Sequence, residues 1–182
     1  MGEDEQYYRA FLDGDEKGFE NLVIKYKNNL IYFILRYVND FSQAEDLAQD
    51  AFVEVLLHKE RYHFKTGFKT YLFTIGRNKA VDFIRKNKRQ IPLEEMENSA
   101  GEEAGLLDMV LEKENRALVS DVMKRLKNDY YMAIWLVDFE ELSYQEAAKV
   151  LKKTLPQIKV LVHRARKALK RELEKEGYGY ED

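Results

Sequence analysis

Apolar residues recur at three- and four-residue spacing along almost every long segment of this chain, while strict alternation over a strand's length is rare. That period matches the turn of an α-helix and not the pleat of a strand, so the expected class is all-α. A first stripe runs through Phe19, Leu22, Val23, Tyr26, Leu30, Phe33, Ile34 and Tyr37, on a helix opening near Asp15 and ending at Asp40-Phe41. Ser42, three residues before Glu45, predicts a capping box and a second helix running to about His58. On it Leu47, Ala51, Phe52 and Val55 face inward, and Asp46, Gln49, Asp50 and Glu54 face outward. A polar loop over 59–67 leads to a third helix from Phe68, which carries Tyr71, Leu72, Ile75, Ala80 and Phe83 among basic residues and stops before Pro92.

The pattern then breaks. Residues 91–106 hold Pro92, Gly101, Gly105 and a run of acids with few large apolar groups, too little burial to offset the entropy of ordering them. They read as a linker between two small helical domains, 1–90 and 107–182. Past it the spacing predicts helices at about 107–127, 129–140, 143–151 and 155–175, with a frayed tail from Gly177.

Charge follows the same division. The chain of 182 residues has a formal net charge of -3, which argues against a uniformly basic nucleic-acid binder. That figure is a cancellation, because residues 61–90 sum to +8, residues 149–175 to +8 again, and residues 91–115 to -7. Two such basic blocks read either as solvated helix faces or as phosphate-binding footprints, since local positive density releases condensed counterions from nucleic acid. The acidic segment between them reads either as a plain tether or as a polyanion suited to a positively charged channel.

Several function classes find no apparatus. Zero Cys removes disulfides, thiolate metal sites and cysteine nucleophiles. His58, His63 and His163 are dispersed. Neither a Gly-rich phosphate loop nor a Gly-x-Ser-x-Gly elbow occurs, so a binding protein without catalytic residues, metal or cofactor is expected. The run Leu30–Leu35 falls far short of the ~20 apolar residues of a membrane span, and the acidic start Met1-Gly2-Glu3-Asp4-Glu5 lacks a secretory pattern. Cytoplasmic residence is the expectation.

The C-terminal block has a recognisable layout. A short helix opened by Ser143 with Glu146 three residues on, and lined by Ala147, Ala148 and Leu151, precedes a tight connection and a strongly basic helix with Pro156 in its first turn. On the second helix Ile158, Leu161, Val162, Ala165 and Leu169 make the inward stripe, leaving Gln157, Lys159, Val160, His163, Arg164, Arg166 and Lys167 on the other faces. This is the arrangement of a helix-turn-helix, whose second helix enters the major groove, or of an ordinary helical hairpin.

Two motifs resemble a known family. Ala44-Glu-Asp-Leu-Ala-Gln-Asp-Ala-Phe52 followed by Phe68-Lys-Thr-Tyr-Leu-Phe-Thr-Ile-Gly-Arg-Asn-Lys-Ala-Val-Asp-Phe-Ile-Arg85 is similar to the second conserved region of the bacterial extracytoplasmic-function (ECF) sigma factors. Ser143 to Leu169, with His163-Arg-Ala-Arg-Lys-Ala-Leu169, resembles their fourth region, and the acidic linker resembles their short third-region connector. The resemblance implies an initiation factor that binds core RNA polymerase, recognises the minus-35 and minus-10 promoter elements, helps open the duplex and catalyses nothing itself. It implies that Asp46, Gln49, Asp50 and Glu54 face the polymerase clamp. It also implies that Asn78, Lys79, Asp82, Arg85 and Lys86 meet the minus-10 element, and that the loop with His63, Phe64 and Lys65 holds an unstacked base. Gln157, Lys159, Val160, His163, Arg164 and Lys167 are then the minus-35 contacts, and an anti-sigma factor is the expected inhibitory partner. Two departures stand out: Tyr71 replaces the family's usual Trp, and Pro156-Gln-Ile-Lys-Val-Leu161 replaces a frequent Gly-Thr-Val-Lys-Ser-Arg. The competing readings are a self-sufficient helix-turn-helix regulator, which explains only one basic block, and a polymerase-binding adaptor that does not touch DNA.

Overall fold

The computed structural model describes residues 1–88 and 116–178, with no side-chain description for 116 and 117, and the chain divides into two units, Met1–Ser99 and Ala100–Asp182. The expected linker 91–106 lies outside the described residues, as do the first turns of the helix expected from 107. All regular structure among the described residues is helical, as the apolar period requires.

Unit 1 contains α1 (Glu3–Leu12), α2 (Glu16–Val38), α3 (Phe41–Leu57), a 3-10 turn (Lys59–Arg61) and α4 (Phe68–Lys88). The sequence reading left residues 1–14 without an element, yet α1 is a full helix with Glu3, Asp4 and Glu5 in its first turn, where carboxylates oppose the positive end of the helix dipole. It docks on α2 across Gly18, where an added Cβ would stand 2.2 Å from the Tyr7 carbonyl oxygen. Only a residue without a side chain permits that approach. Asp15 caps α2 by accepting from the Lys17 amide at 3.0 Å. At its other end Asn39 takes the left-handed conformation, φ 60°, which Asn tolerates better than most residues. The expected capping box at Ser42 does not form: Asp40 is extended, its carboxylate accepts from the Gln43 amide at 2.9 Å, and Ser42 falls inside the first turn of α3. The competing carboxylate lies two residues upstream, so the helix starts earlier.

The core of unit 1 packs Leu22, Leu30, Phe33 and Ile34 of α2 against Ala44, Ala51 and Val55 of α3 and Phe68, Leu72, Phe73 and Ala80 of α4, all buried. Each large apolar side chain so buried contributes roughly 1.5–3 kcal/mol. Gly76 lets α4 close on α2, since a Cβ there would meet Leu30 Cδ1 at 2.7 Å.

Unit 2 contains α5 (Arg116–Arg125), α6 (Asn128–Ile134), a π-helical turn (Trp135–Phe139) continuing α6, α7 (Tyr144–Leu151) and α8 (Leu155–Lys175). The expected helix over 129–140 is thus one run with a π-helical end. Trp135 is fully buried and stacked on Tyr131, ring centroids 5.8 Å apart and 7° from parallel. Val122, Met123, Leu136, Val150, Ile158, Val162 and Ala165 close the core around it. Both α7 and α8 open on capping boxes. Ser143 Oγ accepts from the Glu146 amide at 3.2 Å while the Ser143 amide donates to Glu146 Oε2 at 2.9 Å, as the spacing predicts. Thr154 and Gln157 form a second box that the sequence reading did not identify, the Thr154 amide donating to Gln157 Oε1 at 2.8 Å. Between the two helices Lys152 turns the chain at φ 52°.

Candidate nucleic-acid interface

On α3 the carboxylates of Asp46 and Asp50 and the amide of Gln49 are exposed, as expected. Along the same face the stripe continues into apolar side chains that the sequence reading did not single out: Val53, Leu56 and Leu57 are 47%, 45% and 69% exposed. Acids followed by exposed aliphatics suit a basic, partly apolar protein surface. Glu54 differs from its neighbours, since its carboxylate pairs with the Lys79 ammonium of α4 at 2.8 Å. Two residues expected to face different partners are therefore engaged with each other, and the pair ties α3 to α4.

On α4 the expected minus-10 set divides. Asp82, Arg85 and Lys86 are exposed, whereas Asn78 and Lys79 are half-buried and Asn78 Oδ1 lies buried without a hydrogen-bond partner among the described residues. The C-terminal half of the helix thus presents the cations, while the side-chain oxygen of Asn78 is turned away from solvent.

The loop before α4 rests on an aromatic cluster. Tyr8 of α1 donates to the Lys59 carbonyl at 2.7 Å, and Tyr62 donates to the Thr66 carbonyl at 2.7 Å, closing the loop on itself. The rings of Tyr8 and Tyr62 meet edge to face at 4.8 Å, and Tyr71 stacks on Tyr62 at 5.0 Å. Tyr71 thus serves as an aromatic anchor of the loop. Burial pushes the Tyr62 phenol up to about 12 and raises Tyr8 and Tyr71 as well, so the cluster stays neutral through the physiological range. His63 and Lys65 are exposed, while Phe64 is half-buried at φ 57° with its ring turned onto Tyr8 and Tyr62.

In unit 2, Lys159, Val160, His163, Arg164 and Lys167 are all exposed on α8, opposite the buried Ile158, Val162 and Ala165. Gln157 is exposed too, but its carbonyl oxygen is held in the capping box, leaving only its amide nitrogen to donate. Val160, 49% exposed, offers an apolar contact between the cations. With Tyr130 of α6, Lys153, Pro156, Leu161 and Arg164, Gln157 and Val160 line an open groove at the N-terminal end of α8. Arg166 points elsewhere: its guanidinium donates to both oxygens of Asp138, at 2.6 and 3.2 Å, and that bond raises its pKa. A basic residue in the right block thus serves to fasten α8 to the π-helical turn. Among the described residues no group of three His, Cys, Asp or Glu is placed to hold a metal ion, and no helix is long and apolar enough to cross a membrane.

Comparison with known proteins agrees with this layout. Residues 22–90 match the model of sigma-70 region 2 and residues 116–169 that of sigma-70 region 4. The RNA polymerase sigma-H factor of Pseudomonas aeruginosa is 29% identical, with 94% of each chain covered. The ECF RNA polymerase sigma factor SigW of Bacillus subtilis is 28% identical over 88% of this chain and 91% of its own, and the ECF RNA polymerase sigma-E factor of Escherichia coli is 27% identical over 86% of each. Among solved structures, CnrH in complex with the cytosolic domain of CnrY superposes with a TM-score of 0.67 at 22% identity, covering 96% of this chain and 99% of that one. RpoE in complex with the anti-sigma factor NepR from Bartonella quintana gives 0.66 at 23% identity, covering 87% and 98%. The region 2 match falls in unit 1 and the region 4 match in unit 2, in that order on one chain. The chain belongs to the sigma-70 family as an ECF sigma factor, the initiation subunit that directs RNA polymerase to promoters.

Proposed function

We propose that the chain works as two DNA-reading modules held by one polymerase: residues 1–90 bind core enzyme and the minus-10 element, residues 107–182 bind the minus-35 element, and residues 91–106 connect them. In this reading Asp46, Gln49 and Asp50, extended by Val53, Leu56 and Leu57, meet the polymerase. Asp82, Arg85 and Lys86 with the loop of His63 and Lys65 meet the minus-10 strand, and Lys159, Val160, His163, Arg164 and Lys167 meet the minus-35 groove. The observation that carries it is the α3 face, where exposed carboxylates run into exposed aliphatics. Large apolar side chains left in water beside acids call for a protein partner of opposite charge, which a free-standing DNA binder does not require, while a polymerase adaptor without DNA contact has no use for the exposed cations of α8. The protein itself catalyses nothing and acts in the cytoplasm, where polymerase and promoter are. RpoE was solved with an anti-sigma factor and CnrH with the cytosolic domain of CnrY, which supports an inhibitory partner of the same kind for this chain.

The test is reconstitution. Full-length chain added to core polymerase is expected to start transcription from its promoter while the chain alone binds duplex weakly. Asp50→Lys is expected to weaken co-elution with core enzyme, and Arg164→Glu to leave co-elution intact while lowering promoter affinity and the salt dependence of binding by about one ion. Tight operator binding without polymerase overturns the proposal, as does unchanged co-elution of Asp50→Lys.

A further inference from the structure

The loop expected to stack an unstacked base offers Phe64 for that task, yet the ring is already engaged. The left-handed backbone at Phe64, φ 57°, is an uncommon and strained choice for a bulky residue. It turns the ring inward, 4.8 Å from Tyr62 and 5.8 Å from Tyr8. A third neighbour crowds it: the guanidinium carbon of Arg9 lies 4.4 Å from the Phe64 centroid. Arg9 belongs to α1, which precedes the matched region 2 segment 22–90. Its Nε and Nη2 both donate to Glu5 Oε1, at 2.9 and 2.7 Å, so the planar group is held from behind by an aromatic ring and from the side by a carboxylate. Half of the Arg9 side-chain surface remains exposed, and the Phe64 it covers is flanked in sequence by exposed His63 and Lys65.

A fixed planar cation backed by a ring has the properties a nucleobase needs: a π-face for stacking, a charge for the neighbouring phosphate, and little rotamer freedom left to lose on binding. We propose that Arg9 is a nucleic-acid contact of this protein, its guanidinium forming the stacking surface for an unstacked base of single-stranded DNA, with Phe64 as the backing that holds the plane. The inference rests on the reading of the His63–Lys65 loop as a single-strand site. It reassigns the stacking role from the loop to α1 and gives that helix, and the Gly18 crossing that seats it, a function in recognition. Glu5 becomes a positioning residue.

The experiment uses full-length chain assembled with core polymerase and single-stranded oligodeoxynucleotides in which one 2-aminopurine is moved position by position, core enzyme alone serving as the baseline. Stacking quenches the probe. Arg9→Ala is expected to weaken single-strand binding roughly tenfold and to remove quenching at one position. Arg9→Lys keeps the charge, so it is expected to recover part of the affinity and none of the quenching, an outcome that a purely electrostatic or structural role does not produce. Binding of fully duplex DNA is expected to stay unchanged in both. If Lys65→Ala and His63→Ala weaken single-strand binding while both Arg9 variants bind and quench like the parent, the loop reading stands and the Arg9 assignment is overturned. If none of the four variants alters binding, the loop reading fails and the assignment with it.

Discussion

The two basic blocks carry the same local charge, yet the units that contain them use it differently. In unit 1, Lys79 is engaged with Glu54, Lys69 lies 5.7 Å over the Tyr26 ring, and the loop is held by a cluster of Tyr and Phe side chains. In unit 2, Arg166 is engaged with Asp138, while Lys159, Arg164 and Lys167 stand exposed along one side of α8, which opens on a capping box rather than on a cluster of rings. The difference shows that a charge run describes a reservoir, not an interface. Helix-helix ion pairs and ring contacts decide which cations remain for phosphate, and an aromatic cluster suits a site that must hold a base, while a capped rigid helix suits one that must enter a groove.

The sharpest way to break this comparison is Trp135→Ala. Emptying the fully buried, stacked indole is expected to destabilise unit 2 by about 3–5 kcal/mol, read as lost hydrogen-exchange protection in α5–α8 with protection in α2–α4 unchanged. Equal loss in both units would mean that they do not unfold separately. Next in size, Gly18→Ala is expected to cost unit 1 about 1–3 kcal/mol, because the new Cβ meets the Tyr7 carbonyl and α1 must shift; a drop in Tyr8 and Tyr62 near-ultraviolet dichroism reads the movement. A smaller effect is expected from Thr154→Ala, about 1 kcal/mol in denaturant unfolding of unit 2, since α8 loses one half of its capping box. The smallest and most discriminating pair is Lys79→Ala against Lys167→Ala. The second is expected to lower the salt slope of promoter binding by about one ion, and the first to leave it unchanged, its half-buried pair with Glu54 being worth about 1 kcal/mol of stability. Equal slopes for the two variants would put Lys79 on the DNA.

Much of this was legible before any fold was in hand, because the relevant signals are local. The boundaries of α2, α4, α7 and α8 follow from apolar spacing and from side chains that bond backbone within three residues, as Ser143 and Glu146 do. Where the reading failed, two local signals competed: Ser42 and Asp40 both offer a capping oxygen, and the one adjacent to the left-handed Asn39 prevailed. The miss at α1 has a different cause. Its acidic first turn and the Tyr8 and Phe11 spacing were visible, but ten residues without a cap box carry too weak a period to stand alone, and the helix owes its place to packing on α2.

By itself the chain's sequence determined the helical class, the break between two units, the helix-turn-helix and the motifs that place it among sigma factors, since each depends on neighbours a few residues apart. Only the tertiary structure decided which cations are engaged, where the loop's rings turn, and that Arg9 stands over Phe64. Those outcomes join residues such as Arg166 and Asp138, 28 positions apart, and distances of that kind are set by how helices pack rather than by what any one segment prefers.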